Sequence, residues 1–189
     1  EKCDLNSILF LLTPAENRNK LRFLTSQLVR FERFVDNDVP MQEVLLGVYN
    51  SHPARYAGYT IQQLCQEMHD FYKDRNVKEL QKKLFRRAYF PEYAMKPQDA
   101  QYAFIRGQRE LVPLDEIEGR IALEGALPYP PGVLCVVPGE RWSHTAVQYF
   151  KALEESLNEL PGFASEIQGV YLEKEDDGRI RAYGYVLKE

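Results

Sequence analysis

The sequence predicts an α+β protein: the end of a small α/β domain, followed by a mixed α/β C-terminal domain with several helices and a small sheet. Three observations carry this expectation. Residues 7–12 form a short apolar run that passes through a proline turn into an amphipathic helix, the strand–helix half of an α/β unit. Through the middle of the chain, apolar residues recur at three- and four-residue steps, the helical period. Residues 169–187 read as two strands around the acidic turn Asp176-Asp177-Gly178, the pattern of a hairpin.

Taken in order, Ser7 to Leu12 reads as a buried strand. Thr13-Pro14-Ala15-Glu16 combines a capping box with proline in the first turn, both helix-start signals. The helix that follows sets Leu21, Leu24, Leu28, Phe31 and Val35 on one stripe and Arg18, Lys20, Arg22, Arg30 and Arg33 on its other faces, and Asp36 to Pro40 stops it. This unit has nothing of its own to pair against, so residues 1–38 read as the tail of one domain and 39–189 as a second. Met41 to Tyr49 predicts a short helix, and Tyr56 to Tyr59 a turn. Thr60 with Gln63 caps a helix over 61–73, with Ile61, Leu64, Cys65, Met68 and Phe71 inward. Asn76 with Glu79 caps a helix that runs to about Arg87. Its inner face is Val77, Leu80 and Leu84; its charged run, Lys78, Lys82, Lys83, Arg86 and Arg87, reads as a solvated face. A helix over 97–105 and a strand over 110–114 follow. Ser143 caps a helix from His144 to Asn158 that buries Ala146, Val147, Phe150, Leu153 and Leu157.

Bulk composition sets bounds. The 189 residues are 44% hydrophobic and 28% charged, ordinary for a globular chain that holds one domain or a domain plus part of another. A net charge of −4 argues against general binding to nucleic-acid phosphates, and no apolar run is long enough for a bilayer, so neither nucleic acid nor membrane is an expected partner. Cys3, Cys65 and Cys135 are far apart, odd in number and set among apolar residues, which predicts buried free thiols in a reducing cytoplasm. The chain opens on Glu1-Lys2-Cys3 instead of Met and enters an apolar run almost at once, as a piece of a longer protein would.

The most distinctive stretch is Gly119 to Trp142. Pro128-Tyr129-Pro130-Pro131-Gly132 opens a stiff bend, with Pro130 and Pro131 expected trans. Val133 to Val137 predicts a short, fully buried strand that Pro138-Gly139 ends. On composition alone this is a core strand with its turns.

The string Pro128-Tyr-Pro-Pro-Gly132 with Pro138-Gly-Glu140, together with YAGYTIQQLCQEMHDFY and the opening EKCDLNSILFLLTP, resembles the C-terminal part of the bacterial ornithine/lysine/arginine decarboxylases. The likeness spans the whole chain, and its wording is nearest the ornithine branch. These are pyridoxal-phosphate enzymes of the aminotransferase-like fold. The resemblance implies that residues 1–38 end the small domain, and that 39–189 are the C-terminal domain of a cytoplasmic homo-oligomer. It further implies that the intact enzyme converts L-ornithine to putrescine and carbon dioxide. The alternatives are a lysine or arginine decarboxylase of the same family, or a free-standing regulatory or interaction domain derived from one.

No self-sufficient active site is legible. Cys65 and His69 lie one helical turn apart, but no second ligand pair accompanies them, so no metal is expected. Pyridoxal phosphate needs a lysine for its Schiff base, an acid for its ring nitrogen and a cup for its phosphate. No lysine here stands in the family's Ser-x-His-Lys setting, so the cofactor belongs to the large domain of the same chain and none is expected on this part. By resemblance, Glu1 matches the glutamate that meets the distal amine of the substrate, and Tyr129 and Glu140 flank the entrance to the active centre. The plainer readings are a terminal residue and two turn residues.

Overall fold

The computed structural model describes residues 2–3, 8–129, 132–163 and 165–189. Contacts divide the chain into two compact units, Glu1–Phe71 and Tyr72–Glu189.

In the first unit β1 (Lys2–Cys3) and β2 (Ile8–Leu9) pair antiparallel. The buried strand expected over 7–12 is therefore shorter than its pattern, and it is not buried. Ile8, Phe10, Leu11 and Leu12 are 42 to 65% exposed, because a two-stranded ribbon has no second layer to cover them. Ser7 lies outside the described residues. Helix α1 (Arg18–Asp36) starts later than the capping box suggested. Thr13 to Glu16 closes as a turn, the Glu16 N–H on the Thr13 carbonyl at 3.0 Å. Asn17 is the N-cap instead, its side chain accepting the Lys20 N–H at 3.0 Å. The expected apolar stripe is present on α1, yet no residue of this helix is buried.

Helices α2 (Met41–Val44) and α3 (Leu46–Ser51) replace the single helix expected over 41–49, and a further short helix, α4 (Pro53–Tyr56), follows. α5 (Ile61–Asp74) begins with the predicted reciprocal cap: Thr60 Oγ1 accepts the Gln63 N–H at 3.3 Å, and Gln63 Oε1 accepts the Thr60 N–H at 3.1 Å. Ile61, Leu64 and Phe71 are buried as expected. Cys65 is exposed, contrary to expectation: about 40° past Ile61 around the helix, it stands at the outer edge of the stripe. Cys135 is buried, and its thiol is pushed up to about 12 by desolvation.

The second unit contains α6 (Val77–Leu84), a 3-10 turn (Arg87–Tyr89), β3 (Glu92–Tyr93), α7 (Pro97–Ile105), β4 (Arg109–Pro113) and β5 (Leu127–Tyr129). β6 (Glu140–Arg141), α8 (His144–Glu159), β7 (Glu166–Gln168), β8 (Tyr171–Lys174) and β9 (Ile180–Leu187) complete it. α6 stops short of Arg87, and Asn76 caps it with φ 53° and no side-chain bond, so the Asn76–Glu79 box does not form. α7, α8 and the terminal hairpin lie where the sequence places them. The central sheet is antiparallel in the order β4-β9-β8, while β3 pairs with β6 and β5 with β7.

Val133 to Val137 does not form the buried strand expected of it. Val133 and Leu134 are 40 and 45% exposed, Cys135 and Val136 are buried, and one bridge joins Val136 to Ala126. Pro138 has no N–H with which to extend the ladder. The strands in this stretch are β5, with Pro128 opposite Ile167, and β6.

The core of the second unit lies between α8 and the sheet. Trp142 meets Phe150 edge to face at 5.3 Å, and both are buried with Leu153, Ala182 and Val186. β4 ends opposite Tyr183, so the start of β9 needs other partners. α8 supplies them. Asn158 accepts the Ile180 N–H at 2.7 Å and donates to the Ile180 carbonyl at 2.8 Å, while Glu154 accepts the Ala182 N–H at 2.5 Å. Two side chains one helical turn apart thus stand in for the missing strand.

Gly169 packs where a Cβ would lie 1.9 Å from the Gly125 carbonyl oxygen, and its φ is +78°. Gly178 has φ +84°, and a Cβ there would meet only the Lys174 side chain at an ordinary 4.0 Å. Gly178→Ala should cost about 1–2 kcal/mol for its left-handed backbone alone. Gly169→Ala should cost clearly more in a urea titration, and equal costs would show that the Gly125 contact imposes nothing.

Burial holds the Glu154 carboxyl above its ordinary value, against the opposing pull of the Ala182 N–H, with Asp115 adding to the rise and Arg181 and Lys151 opposing it. A raised carboxyl binds its proton more tightly folded than unfolded, so the group favours folding more as pH falls toward the ordinary glutamate value. Relative to Glu154→Gln, the native protein should lose stability as pH rises from about 4.5. Denaturation at a series of pH values reads this directly, and parallel curves for the two proteins would refute it.

Candidate functional site

The stretch 119–142 is held as two nested loops. Gly119 N–H bonds the Trp142 carbonyl at 2.9 Å, and Ala122 and Glu140 are joined by the Ala122 N–H on the Glu140 carbonyl at 2.8 Å. Gly139 N–H returns to the Ala122 carbonyl at 2.7 Å. The outer loop is tied to β9, because Leu123 donates to Tyr185 at 3.0 Å and Leu187 donates to Ile121 at 2.9 Å. The inner loop turns at Gly132, whose N–H reaches the Pro128 carbonyl at 2.9 Å with φ +77°. A Cβ there would lie 3.0 Å from the Tyr129 ring, so a side chain at 132 would push the ring away. Tyr129 itself is 54% exposed at the rim of this loop.

Glu140 is half-buried, and its Oε2 accepts the Val137 N–H at 2.9 Å across the Pro138–Gly139 turn. Gly139 (φ +89°) has no room for a side chain, since a Cβ would meet the Met95 carbonyl oxygen at 2.2 Å. The structure thus brings Glu140 into the loop as a lock and leaves Tyr129 at the surface. Glu1, and the Pro130–Pro131 pair whose bonds were expected trans, lie outside the described residues.

Sequence reasoning missed a ladder beside the stretch. Tyr171 donates to Glu124 at 2.8 Å, Tyr171 meets Tyr185 edge to face at 5.0 Å, and Arg109 lies over the Tyr185 and Phe104 rings at 5.1 and 4.4 Å. Desolvation and the Glu124 carboxylate together push the Tyr171 hydroxyl up to about 12. These residues are scattered from 104 to 185, and only strand register gathers them.

Four of the described lysines are engaged with acidic or aromatic side chains of this chain. Lys20, Lys82 and Lys151 are ion-paired with Glu16, Glu79 and Asp115, and Lys83 lies over Tyr89. A cavity of about 670 Å³ beside α7 and the end of β9 is lined by Asp99, Arg106, Lys188 and Glu189 among others. Its rim therefore carries both signs of charge. Among the described residues no cluster of three or more His, Cys, Asp or Glu side chains could hold a metal ion, and no helix is long and apolar enough to cross a membrane.

The Orn/Lys/Arg decarboxylase C-terminal domain profile matches residues 78–188, which contain both loops. The chain belongs to this family. An ornithine decarboxylase of Haemophilus influenzae is 64% identical over all of this chain and 26% of its own length, and an inducible ornithine decarboxylase of Escherichia coli is 62% identical over the same shares. A solved lysine decarboxylase of Francisella novicida superposes with a TM-score of 0.83 at 27% identity, over 95% of this chain and 24% of that one. The chain spans about a quarter of the length of the relatives it matches.

The Glu140 lock is testable. Glu140→Ala leaves the Val137 N–H without its charged acceptor and should cost about 1.5–3 kcal/mol in chemical denaturation, while Glu140→Gln keeps an acceptor and should cost less. Equal, negligible losses would free Glu140 from this duty.

Proposed function

We propose that this chain is the C-terminal part of an ornithine decarboxylase whose intact form converts L-ornithine to putrescine and carbon dioxide. The observation that carries this reading is identity: ornithine decarboxylases match at 56 to 64% over 98 to 100% of the chain, against 32 to 33% for lysine decarboxylases. The proposed division is residues 1–38 as the end of the aminotransferase-like small domain and 39–189 as the C-terminal domain. In support, α1 has no buried residue although Leu21, Phe23, Leu28 and Phe31 lie along it, as a helix does when its packing layer is elsewhere. The intact enzyme is proposed to be a cytoplasmic homo-oligomer.

In this reading the preceding large domain holds pyridoxal phosphate, which supplies the electron sink for loss of the α-carboxylate. This chain contributes the wall of the entrance. Tyr129 offers an exposed ring at the rim, and Glu140 keeps the loop that carries it in one shape. Glu1 is assigned to the distal ammonium of ornithine, since a desolvated ammonium needs a carboxylate partner.

The test uses the full-length protein with ornithine, lysine and arginine as substrates and product amine as the readout. Ornithine should have the highest kcat/KM. Glu1→Ala should lower it by the equivalent of about 3–5 kcal/mol, Glu1→Gln by less, with cofactor absorbance retained in both. A preference for lysine or arginine would overturn the substrate assignment. A loss under about threefold for Glu1→Ala would leave Glu1 with a structural role only.

A further inference from the structure

The residues that follow α6 form a surface the functional reading leaves unused. Phe85, Tyr89, Phe90 and Tyr93 are 53, 39, 54 and 63% exposed, and Arg86 and Arg87 between them are exposed as well. The backbone beneath is ordered. Arg86 N–H bonds the Lys83 carbonyl at 2.9 Å, Tyr89 N–H bonds Arg86 at 2.8 Å, and the 3-10 turn spans Arg87–Tyr89. A fixed backbone that presents four aromatic rings is a surface with a shape, and rings of this kind bury roughly 150–250 Å² each when covered. The surface carries more positive than negative charge: Arg86, which helps lower the Glu79 carboxyl, and Arg87 are exposed beside the single acid Glu92, and Lys83 lies over the Tyr89 ring at 5.5 Å.

This surface is fastened to the signature loops. β3, which carries Tyr93, pairs with β6 through Glu92 opposite Arg141 and Tyr93 opposite Glu140, and the Ala94 and Met95 N–H groups both bond the Gly139 carbonyl at 3.0 Å. The strand that carries Tyr93 is therefore bonded directly to the strand that carries Glu140. The relatives place about three quarters of their length outside this region, so the partner with the greatest claim on the surface is the remainder of the same polypeptide.

We propose that Phe85 to Tyr93 is the seat for an apolar, acid-bearing surface of the N-terminal part of the same full-length chain, with Phe85, Tyr89 and Phe90 as the apolar anchors and Arg86 and Arg87 pairing with its carboxylates. The proposal rests on the reading of this chain as the C-terminal part of a longer decarboxylase. It adds which face meets the rest of the protein and with what chemistry.

The experiment introduces photoreactive p-benzoylphenylalanine at position 90 (Phe90→p-benzoylphenylalanine) in the full-length protein, as a mixture of ¹⁴N- and ¹⁵N-labelled copies. After irradiation, crosslinked peptides are read by mass spectrometry. The expected product joins position 90 to a residue preceding Glu1 in a copy of the same isotope, near Asp or Glu residues. Arg86→Glu with Arg87→Glu should lower its yield by at least about threefold. Mixed-isotope crosslinks, crosslinks confined to residues 2–189, or no crosslink would each overturn the seat; an unchanged yield in the double variant would overturn its charge pairing. Decarboxylation by the unmodified protein is measured alongside. Activity on ornithine without the crosslink removes the seat and leaves the function, whereas the crosslink without activity removes the function and leaves the seat.

Discussion

Strand β9 is the constraint on which the second unit depends. It is the middle strand of the central sheet, so its amide groups face partners on both sides and every one that is buried must be paired. β8 pairs along its first half and β4 along its second. Where β4 has ended, Asn158 and Glu154 of α8 take over, and beyond Tyr183 the signature stretch adds Leu123 and Ile121. This explains why α8 is fixed over one end of the sheet and why the signature stretch lies over the other. The helix is held by polar side chains as much as by Phe150 and Leu153. A carboxylate used in this way carries a desolvation penalty, which is the physical origin of the raised Glu154.

The two nested loops inherit their rigidity from this arrangement. Trp142, at the foot of the outer loop, is 2% exposed against Phe150, and its Nε1 is buried without a hydrogen-bond partner among the described residues. An unpaired indole N–H costs free energy, and the ring contact and burial of so large a side chain offset it. At the base of the inner loop Gly139 is forced by the Met95 carbonyl, and at its turn Gly132 takes a φ of +77° that favours glycine. A loop that faces a reacting centre needs such rigidity more than it needs chemistry of its own.

Helices with strong caps or a complete stripe were legible from sequence: the Thr60–Gln63 box, the Ser143 cap of α8 and the proline start of α7 are local features, and local physics decides them. The terminal hairpin was legible for the same reason. What failed was competition between local signals, as when Asn17 displaced Thr13 as the cap of α1. It failed again where pairing is long-range, as in β3 with β6 and β5 with β7, whose strands are two or three residues long and carry no period to read. Of the site, the turn residues Pro138 and Gly139 were legible, but the Glu140–Val137 bond and the Tyr171–Glu124 ladder depend on register and were not.

The misreading of residues 7–12 has a different cause, and it bears on what this chain is for. An apolar pattern records the burial that a residue has in the protein as a whole, whereas exposure records what the described unit alone can cover. Ile8, Leu11 and Leu12, the stripe of α1, Cys65, and Val133 with Leu134 disagree between these two measures, while the face of α8 agrees. Each large apolar side chain left in water forgoes about 1.5–3 kcal/mol of burial. The disagreement is confined to a few segments: the core of the second unit is closed, with Trp142, Phe150 and Leu153 all covered. The second unit, whose core is closed, has the profile of a part whose stability is its own, whereas the open stripe of α1 in the first unit has the profile of a face that awaits a packing layer. Under the proposed function that layer belongs to the small domain that residues 1–38 end.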